Sequence, residues 1–312
     1  MNNIWGDMSQ YNPVTWHWVI AVYLFLAGLS AGSLLIAIAM RWVKGDHEES
    51  PVLKAAALIA PVAICLGMLC LVFDLTRPFH FWLILLNYNF TSVMSIGVLA
   101  LLVYIPLTFL YALVVFREQL ASIGVGLLQG IADALAGVRK AIEVLLLVLA
   151  VVVGAYTGFL ISAMNIYPML NTAILPALFL VSGISAGAAA NAVVALLLFN
   201  TTSHDHDLSR MHGLELPVAA IEILFLFMLF SALYFKGGAA AMALASLTSG
   251  TWAAVFWTLV VAVGFGIPLL SQLLPAAQRH GKGVMVIGAL CSLTGVLALR
   301  HFILYAGQSY LG

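Results

Sequence analysis

Long runs of apolar residues, separated by short polar segments, dominate the pattern of this chain. Eight runs reach the length of about 20 residues that a helix needs to cross about 30 Å of hydrocarbon. Lipid offers the backbone no hydrogen-bond partners, and the runs lack the alternation of barrel strands, so we expect helices. The eight predicted spans lie near residues 18–43, 53–74, 91–115, 140–164, 172–199, 214–235, 251–274 and 283–307.

Composition agrees with this pattern. The 312 residues are 64% hydrophobic and 8% charged, whereas about a quarter of the residues of a soluble domain are charged. The formal net charge is zero, so nothing favours binding of nucleic acid. The first run begins at Trp18 without a following cleavage pattern, so we expect no removed signal peptide. The sequence therefore predicts an all-α integral membrane protein.

The positive charges are distributed unevenly between the loops. Nine lie on the side that holds the loops after runs one, three, five and seven, and the other side has Arg77 and Lys236, with Arg300 inside the last run. By the positive-inside rule, both termini are predicted to be periplasmic, in the cytoplasmic (inner) membrane of a bacterium. The nine are Arg41, Lys44, Lys54, Arg117, Arg139, Lys140, Arg210, Arg279 and Lys282.

Two stretches of small residues suggest an internal repeat. "FLAGLSAGSLL" (25–35) in run one resembles "VSGISAGAAA" (181–190) in run five, and Pro61 is answered by Pro217. Similar offsets predict two four-helix bundles in the same orientation, a parallel repeat. Close helix packing is the alternative explanation of the small residues. The predicted boundaries are residues 1–135 plus 136–166 for the first bundle and 167–312 for the second.

Five polar side chains are predicted at the outer end of the first half. His17 enters run one, whereas Asp74, Arg77 and His80 follow run two, and Tyr156 lies about 12 Å below the outer edge of run four. A pocket between these helices would be apolar below and ionisable above. Anchoring of helix ends in the headgroup region is the alternative for Arg77 and His80.

Such a pocket suits a quinone with a long prenyl tail. Oxidation of a quinol releases two protons, and His17 is a candidate base. Tyr156 can hydrogen-bond a ring oxygen, and Asp74 with Arg77 can form a proton exit. No histidine lies deep in a run, as a bis-histidine haem would need, and the cysteines lack the spacing of iron–sulfur ligands. We therefore predict a quinone as the cofactor, without haem or cluster.

Two further ionisable residues, Glu222 and Arg300, lie inside the second half. Such residues are functional hypotheses by default, here a proton route or a water-filled cavity. Their different heights disfavour a direct ion pair. A proton-coupled secondary transporter or proton channel is the alternative function, because parallel repeats with intramembrane charges also suit alternating access. A purely structural anchor would leave Asp74 and Glu222 unexplained.

The sequence resembles a known family over essentially its whole length. The stretches "HWVIAVYLFLAGLSAGSLL" (17–35), "LTRPFHFWLILLNYNFTSVMSIG" (75–97) and "YTG" (156–158) are similar to the NrfD-like membrane subunits of polysulfide reductase and formate-dependent nitrite reductase. The resemblance implies a menaquinol-oxidising anchor built as two four-helix bundles, with His17 and Tyr156 at positions that contact the ring in relatives.

The resemblance also implies partners. It predicts a ferredoxin-like subunit with four-iron clusters on the periplasmic face, which relays electrons between quinol and a molybdopterin or multihaem catalytic subunit. The chain would then oxidise quinol without acting on the terminal substrate itself. His80, Glu222 and Arg300 are predicted to serve proton transfer or the rim where this partner docks.

Overall fold

The computed structural model describes residues 16–309 except 46–48, 76–77, 86–88, 125, 165–166, 202–205 and 280. Most of this part of the chain is helical and no strand occurs in it. The helical elements are α1 Trp18–Lys44, α2 Pro51–Asp74, a 3₁₀ helix Pro78–Leu85, α3 Val93–Val115, α4 Arg117–Ile123, α5 Gly126–Ala136, α6 Arg139–Ser162, α7 Ile174–Leu197, α8 His206–Lys236, α9 Gly238–Met242, a second 3₁₀ helix Ala243–Leu247, α10 Gly250–Val255, a π-helical segment Phe256–Gly266, α11 Ile267–Gln272, α12 Ala276–Arg279 and α13 Lys282–Ser309.

Eight of these helical stretches are long and apolar enough to cross a membrane, which confirms the predicted fold class. They are α1, α2, α3, α6, α7, α8, the continuous stretch Gly250–Gln272 and α13. The expected boundaries hold within a few residues, except that α8 begins at His206, not near residue 214. Its first two turns are polar and helical, so the apolar run alone underestimated the helix.

Local signals set the turn between α1 and α2. Gly45 adopts a left-handed conformation with φ 64°, and its N–H donates to the Arg41 carbonyl at 3.1 Å. This geometry ends a helix and favours glycine. Ser50 then caps α2, because its hydroxyl accepts from the Leu53 N–H at 3.2 Å and Pro51 occupies the first helical position. The chain therefore reverses direction within a few residues.

Helix α1 lies at the centre of the molecule. The most apolar part of α1 is 72% buried, against 17% for Gly250–Gln272 at the periphery. α1 packs on α2, α6, α7 and α13, while α3 packs on α2 and α6, and α7 packs on α8 and α13. The division into two four-helix bundles remains a prediction.

The small-residue stretches meet where α1 crosses α7. Gly28 faces Gly183, and a Cβ on Gly32 would overlap the Gly183 carbonyl. Beside the crossing, the Asn191 amide accepts from the Ser33 hydroxyl at 2.6 Å and donates to the Ser33 carbonyl at 3.0 Å. Glycine at these positions lets the two backbones approach closely, so the packing explanation of the motif has a direct structural basis.

We name the two ends of the bundle after residues that lie there. The His17 pole is where α1 begins, and α13 ends beside it, since the buried Gln308 side chain bonds the Trp16 backbone. The Glu143 pole is the opposite end, where α1 ends and α8 begins, since Lys44 lies 3.6 Å from Asp207.

Candidate functional site

Two of the predicted residues meet at the His17 pole. His17 is the residue before α1, and Asp74 is the last residue of α2. Their Nδ1 and Oδ1 atoms are 4.0 Å apart, with the His17 side chain 59% exposed and that of Asp74 27% exposed. The imidazole, once protonated, therefore has an anionic partner at ion-pair distance on the neighbouring helix.

The position of His17 is fixed by the last helix of the chain. Gln308, on α13, is fully buried. Its Oε1 accepts from the Trp16 N–H at 2.9 Å, and its Nε2 donates to the Trp16 carbonyl at 3.3 Å. The backbone N–H and C=O of Trp16, the residue before His17, are thereby both satisfied by one side chain. Sequence reasoning did not identify Gln308, because nothing in its local pattern indicates a contact 292 residues away.

Tyr156 is buried within α6, close to the His17 pole. Its hydroxyl lies 3.4 Å from the Met94 carbonyl, at the long limit of a hydrogen bond. Its ring lies against Gly97 of α3, where a Cβ would overlap the ring atoms. The ring is therefore held in a slot that only glycine at position 97 leaves open, while the hydroxyl can still bind a better acceptor or donor.

Two predicted residues at this pole remain, His80 and Arg77, and the structure describes only His80. His80 lies in the 3₁₀ helix Pro78–Leu85 and is exposed, as are its neighbours Phe79 and Trp82. Exposed aromatic residues at a helix end are typical of a membrane interface. Arg77 lies outside the described residues. The structure thus brings His17 and Asp74 together, holds Tyr156 in a nearby span and leaves His80 at the surface.

Glu222 lies deep in α8, beside a cavity of about 40 Å³. The residue is 2% exposed, shares the cavity wall with Ser185, and its Oε1 has no partner among the described atoms. A buried water needs about 10–15 Å³ of such space and two to four polar partners. The cavity therefore has room for about three waters and a carboxylate oxygen to receive them.

Arg300 is fully buried between α13 and α7. Its Nη2 donates to the Phe179 carbonyl at 2.9 Å and to the Ser182 hydroxyl at 2.6 Å, and the guanidinium lies 3.7 Å from the centre of the Phe179 ring. Nε and Nη1 have no partner in the described part of the protein. Glu222 and Arg300 form no ion pair within 4 Å, but each lies in the electric field of the other.

A polar cluster borders the Glu222 cavity toward the Glu143 pole. Glu215 and Gln272 line the cavity. Gln272 donates to Glu215 Oε2 at 2.9 Å, and Nδ1 of the buried His212 lies 3.0 Å from the same oxygen. The cavity thus continues from the buried carboxylate of Glu222 to titratable groups nearer the helix ends.

The most extensive ionic network was not predicted from the sequence. Glu143 is 3% exposed, accepts from Trp42 Nε1 at 2.7 Å, from Tyr111 at 3.0 Å and from Arg139 Nε at 3.0 Å, and lies 3.4 Å from Arg41. Glu49 pairs with both arginines. The loop pattern indicated these arginines only as markers of orientation. A carboxylate four residues after Arg139, inside an apolar run, was the available signal.

These observations first identify the general class of the protein. The molecule is a multi-pass membrane protein with acid–base side chains at one pole and buried, partly unpaired charges in its interior. Among the described residues, no three His, Cys, Asp or Glu side chains converge as metal ligands would.

A family model described as "Polysulphide reductase, NrfD" matches residues 6–312. The chain therefore belongs to the NrfD polysulphide reductase family, which confirms the resemblance seen in its motifs. It is 48% identical to the C subunit of polysulfide reductase from Wolinella succinogenes, with the full length of both proteins covered. It is 40% identical to protein NrfD of Escherichia coli, over 96% of each protein.

A more distant relative is also named as a membrane subunit. The Hdr-like menaquinol oxidoreductase integral membrane subunit of Archaeoglobus fulgidus is 26% identical, with 96% of this chain and 72% of the relative covered.

Proposed function

We propose that this chain is the quinone-reactive membrane subunit of a respiratory oxidoreductase and that it oxidises menaquinol at the His17 pole. Electrons would pass to a ferredoxin-like subunit with four-iron clusters docked at that pole, and then to a molybdopterin or multihaem catalytic subunit. Membership of the NrfD family and the names of the relatives support this proposal. The terminal substrate is determined by the partner subunits.

The arrangement of three side chains at the His17 pole supports the proposal most strongly. His17 and Asp74, on different helices, lie 4.0 Å apart at the pole where Tyr156 is buried with a weakly bonded hydroxyl. A quinol supplies two electrons and two protons when it is oxidised. His17 is placed to accept a proton, Asp74 to stabilise the resulting imidazolium, and Tyr156 to hold a ring oxygen by a hydrogen bond.

The test replaces the two side chains separately, as His17→Gln and Tyr156→Phe. Both variants should assemble with the partner subunits and lose most quinol-driven reduction, while reduction by an artificial donor that bypasses the membrane subunit persists. Tyr234→Phe is the matched control, because Tyr234 lies near the end of α8 and is 68% exposed. Activity near wild type in both His17→Gln and Tyr156→Phe would remove these residues from the mechanism.

The side of the membrane on which electrons leave the subunit depends on the orientation of the chain in the bilayer. The positive charges predict that the His17 pole faces the periplasm, with both termini on that side of the inner membrane. Labelling with an impermeant thiol reagent tests this orientation in a cysteine-free variant that carries Ser309→Cys or Ser122→Cys. Ser309 ends α13 at the His17 pole, and Ser122 lies at the end of α4 at the other pole. Labelling of Ser309→Cys alone in intact cells is expected.

A second function, proton transfer through the second half, is favoured by a specific observation. Glu222 is buried with an unpartnered oxygen beside a cavity that is large enough for water. We propose that Glu222 exchanges protons with this cavity. Glu215 and His212 would provide the entrance from the Glu143 pole.

The complex in proteoliposomes separates this role from quinol oxidation. Glu222→Gln should preserve electron transfer and abolish the part of proton uptake that exceeds quinol chemistry, and Glu118→Gln, at an exposed site, should preserve both. Unchanged uptake in Glu222→Gln would exclude the route. The transporter alternative is tested by the isolated subunit, which should move no protons without quinol turnover.

A further inference from the structure

A large polar cavity lies at the Glu143 pole, away from both sites described above. Its volume is about 520 Å³, within the range of about 300–1,000 Å³ that is typical of ligand pockets. It lies where α2 begins, α3 ends and α6 begins, and the short helices α4 and α5 border it. Its wall is formed by Glu49, Lys54, Val114, Val115, Arg117, Glu118, Ala136 and Arg139.

The wall carries both signs of charge. Arg139 is already paired with carboxylates of the protein, since its Nη2 donates to Glu49 at 2.9 Å and its Nε donates to Glu143 at 3.0 Å. Lys54 is half-buried and forms no ion pair within 4 Å with a described carboxylate, and Glu118 forms none with a described cation. The cavity therefore presents one uncompensated ammonium and one uncompensated carboxylate.

The position of the cavity corresponds to the level of lipid head groups. α5 is amphipathic: Ala132 is buried, whereas Leu127 is 79% exposed, and Ile123 at the end of α4 is 73% exposed. Short helices with this pattern lie in the membrane interface with their apolar side chains among the acyl chains. The Arg117–Asp133 ion pair at 3.8 Å joins the two helices. A head group would enter the cavity at this level while its acyl chains remain in the bilayer.

We infer that this cavity binds the head group of a zwitterionic membrane phospholipid that carries a primary ammonium, with its phosphate toward Lys54 and its ammonium toward Glu118. Lysine and arginine bind phosphate through charge-assisted hydrogen bonds, and pockets with basic side chains between membrane helices bind lipid head groups. A purely anionic head group would leave Glu118 facing negative charge. The inference holds for either leaflet and does not depend on the proposed quinol chemistry.

Native mass spectrometry of the detergent-purified complex tests the inference. The probes are dioleoyl phosphatidylethanolamine, phosphatidylglycerol and phosphatidylcholine, which share their acyl chains, and inorganic phosphate. We expect one phosphatidylethanolamine to bind at least about fivefold more tightly than phosphatidylglycerol or phosphatidylcholine, the scale of one charge-assisted hydrogen bond from its ammonium to Glu118, which the other two head groups lack. Equal binding of the three lipids would overturn the proposal, and so would binding of free phosphate as tight as that of the lipid.

Two variants locate the site. Lys54→Gln removes the cation and should weaken phosphatidylethanolamine binding about fivefold. Ala136→Trp keeps every charge and should exclude the lipid by filling the cavity. The matched control is Lys140→Gln, because Lys140 is exposed, follows Arg139 and does not line the cavity. Binding that is unchanged in the variants that keep their melting temperature would refute the assignment.

Discussion

Gly97→Ala is expected to damage quinol oxidation without removing any polar group. A Cβ at position 97 would overlap the ring of Tyr156, which lies against this glycine. The backbone of α3 is held by the packing of the helix, so the ring has to move by about one carbon radius, on the order of 1 Å. The 3.4 Å contact of the hydroxyl with the Met94 carbonyl is too weak to hold the ring in place.

The size of the effect follows from that displacement. A misplacement of about 1 Å in a reacting group can cost about 10²-fold in rate. We therefore expect about a hundredfold loss in kcat/KM for quinol-driven reduction, close to the loss in Tyr156→Ala. Because both changes act through one side chain, Gly97→Ala should add little to Tyr156→Ala.

The assay is steady-state reduction by the assembled complex with a menaquinol analogue, compared with an artificial donor. Gly288→Ala is the matched control, because its added Cβ would meet nothing closer than the Ser271 hydroxyl at 3.9 Å. If Gly97→Ala retains the activity of Gly288→Ala, then the position of the Tyr156 ring does not matter to the reaction. Additive losses in the double variant would show that Gly97 acts elsewhere.

Three further predictions concern stability, measured by thermal melting and by unfolding in detergent. Glu143→Ala should lower the free energy of unfolding by about 3 kcal/mol, because the two half-buried arginines Arg41 and Arg139 lose a buried partner and retain only Glu49, whereas Glu118→Ala should change stability little. Gly32→Ala should cost about 1–3 kcal/mol, since its Cβ meets backbone and not a flexible side chain. Gln308→Leu should lower the free energy of unfolding by about 1 kcal/mol, because the half-buried N–H and C=O groups of Trp16 lose their partner. Losses below about 0.5 kcal/mol would contradict each estimate.

The spans were predictable because the bilayer imposes a length and a composition that any apolar run displays. α1 begins and α2 ends at the predicted residues, Trp18 and Asp74. The pairing of His17 with Asp74 was also accessible, since both follow from counting residues to a common helix end. The start of α8 was not, because its first turns are polar.

The specific contacts were less predictable. Gln308 reaches Trp16, and Arg139 reaches Glu49 across 90 residues, and no local pattern specifies such pairs. Gly97 ends one of the motifs quoted from the sequence, but its role depends on the Tyr156 ring, which packs against it. Sequence periodicity reports which side chains are buried, whereas the partner of each buried group is a property of the tertiary fold.

The two buried carboxylates, Glu143 and Glu222, differ in the number of their partners, and this difference distinguishes a structural role from a role in proton transfer. Glu143 has hydrogen-bond or ionic partners on α1, α3 and α6, so several contacts depend on its carboxylate. Glu222 has an unpartnered oxygen beside room for water, so fewer of the described contacts depend on its carboxylate. We therefore expect Glu143→Gln to lower stability with proton uptake unchanged, and Glu222→Gln to lower proton uptake with a smaller loss of stability than Glu143→Gln. The same effect in both variants would show that pairing does not distinguish a structural from a proton-exchanging carboxylate in this membrane interior.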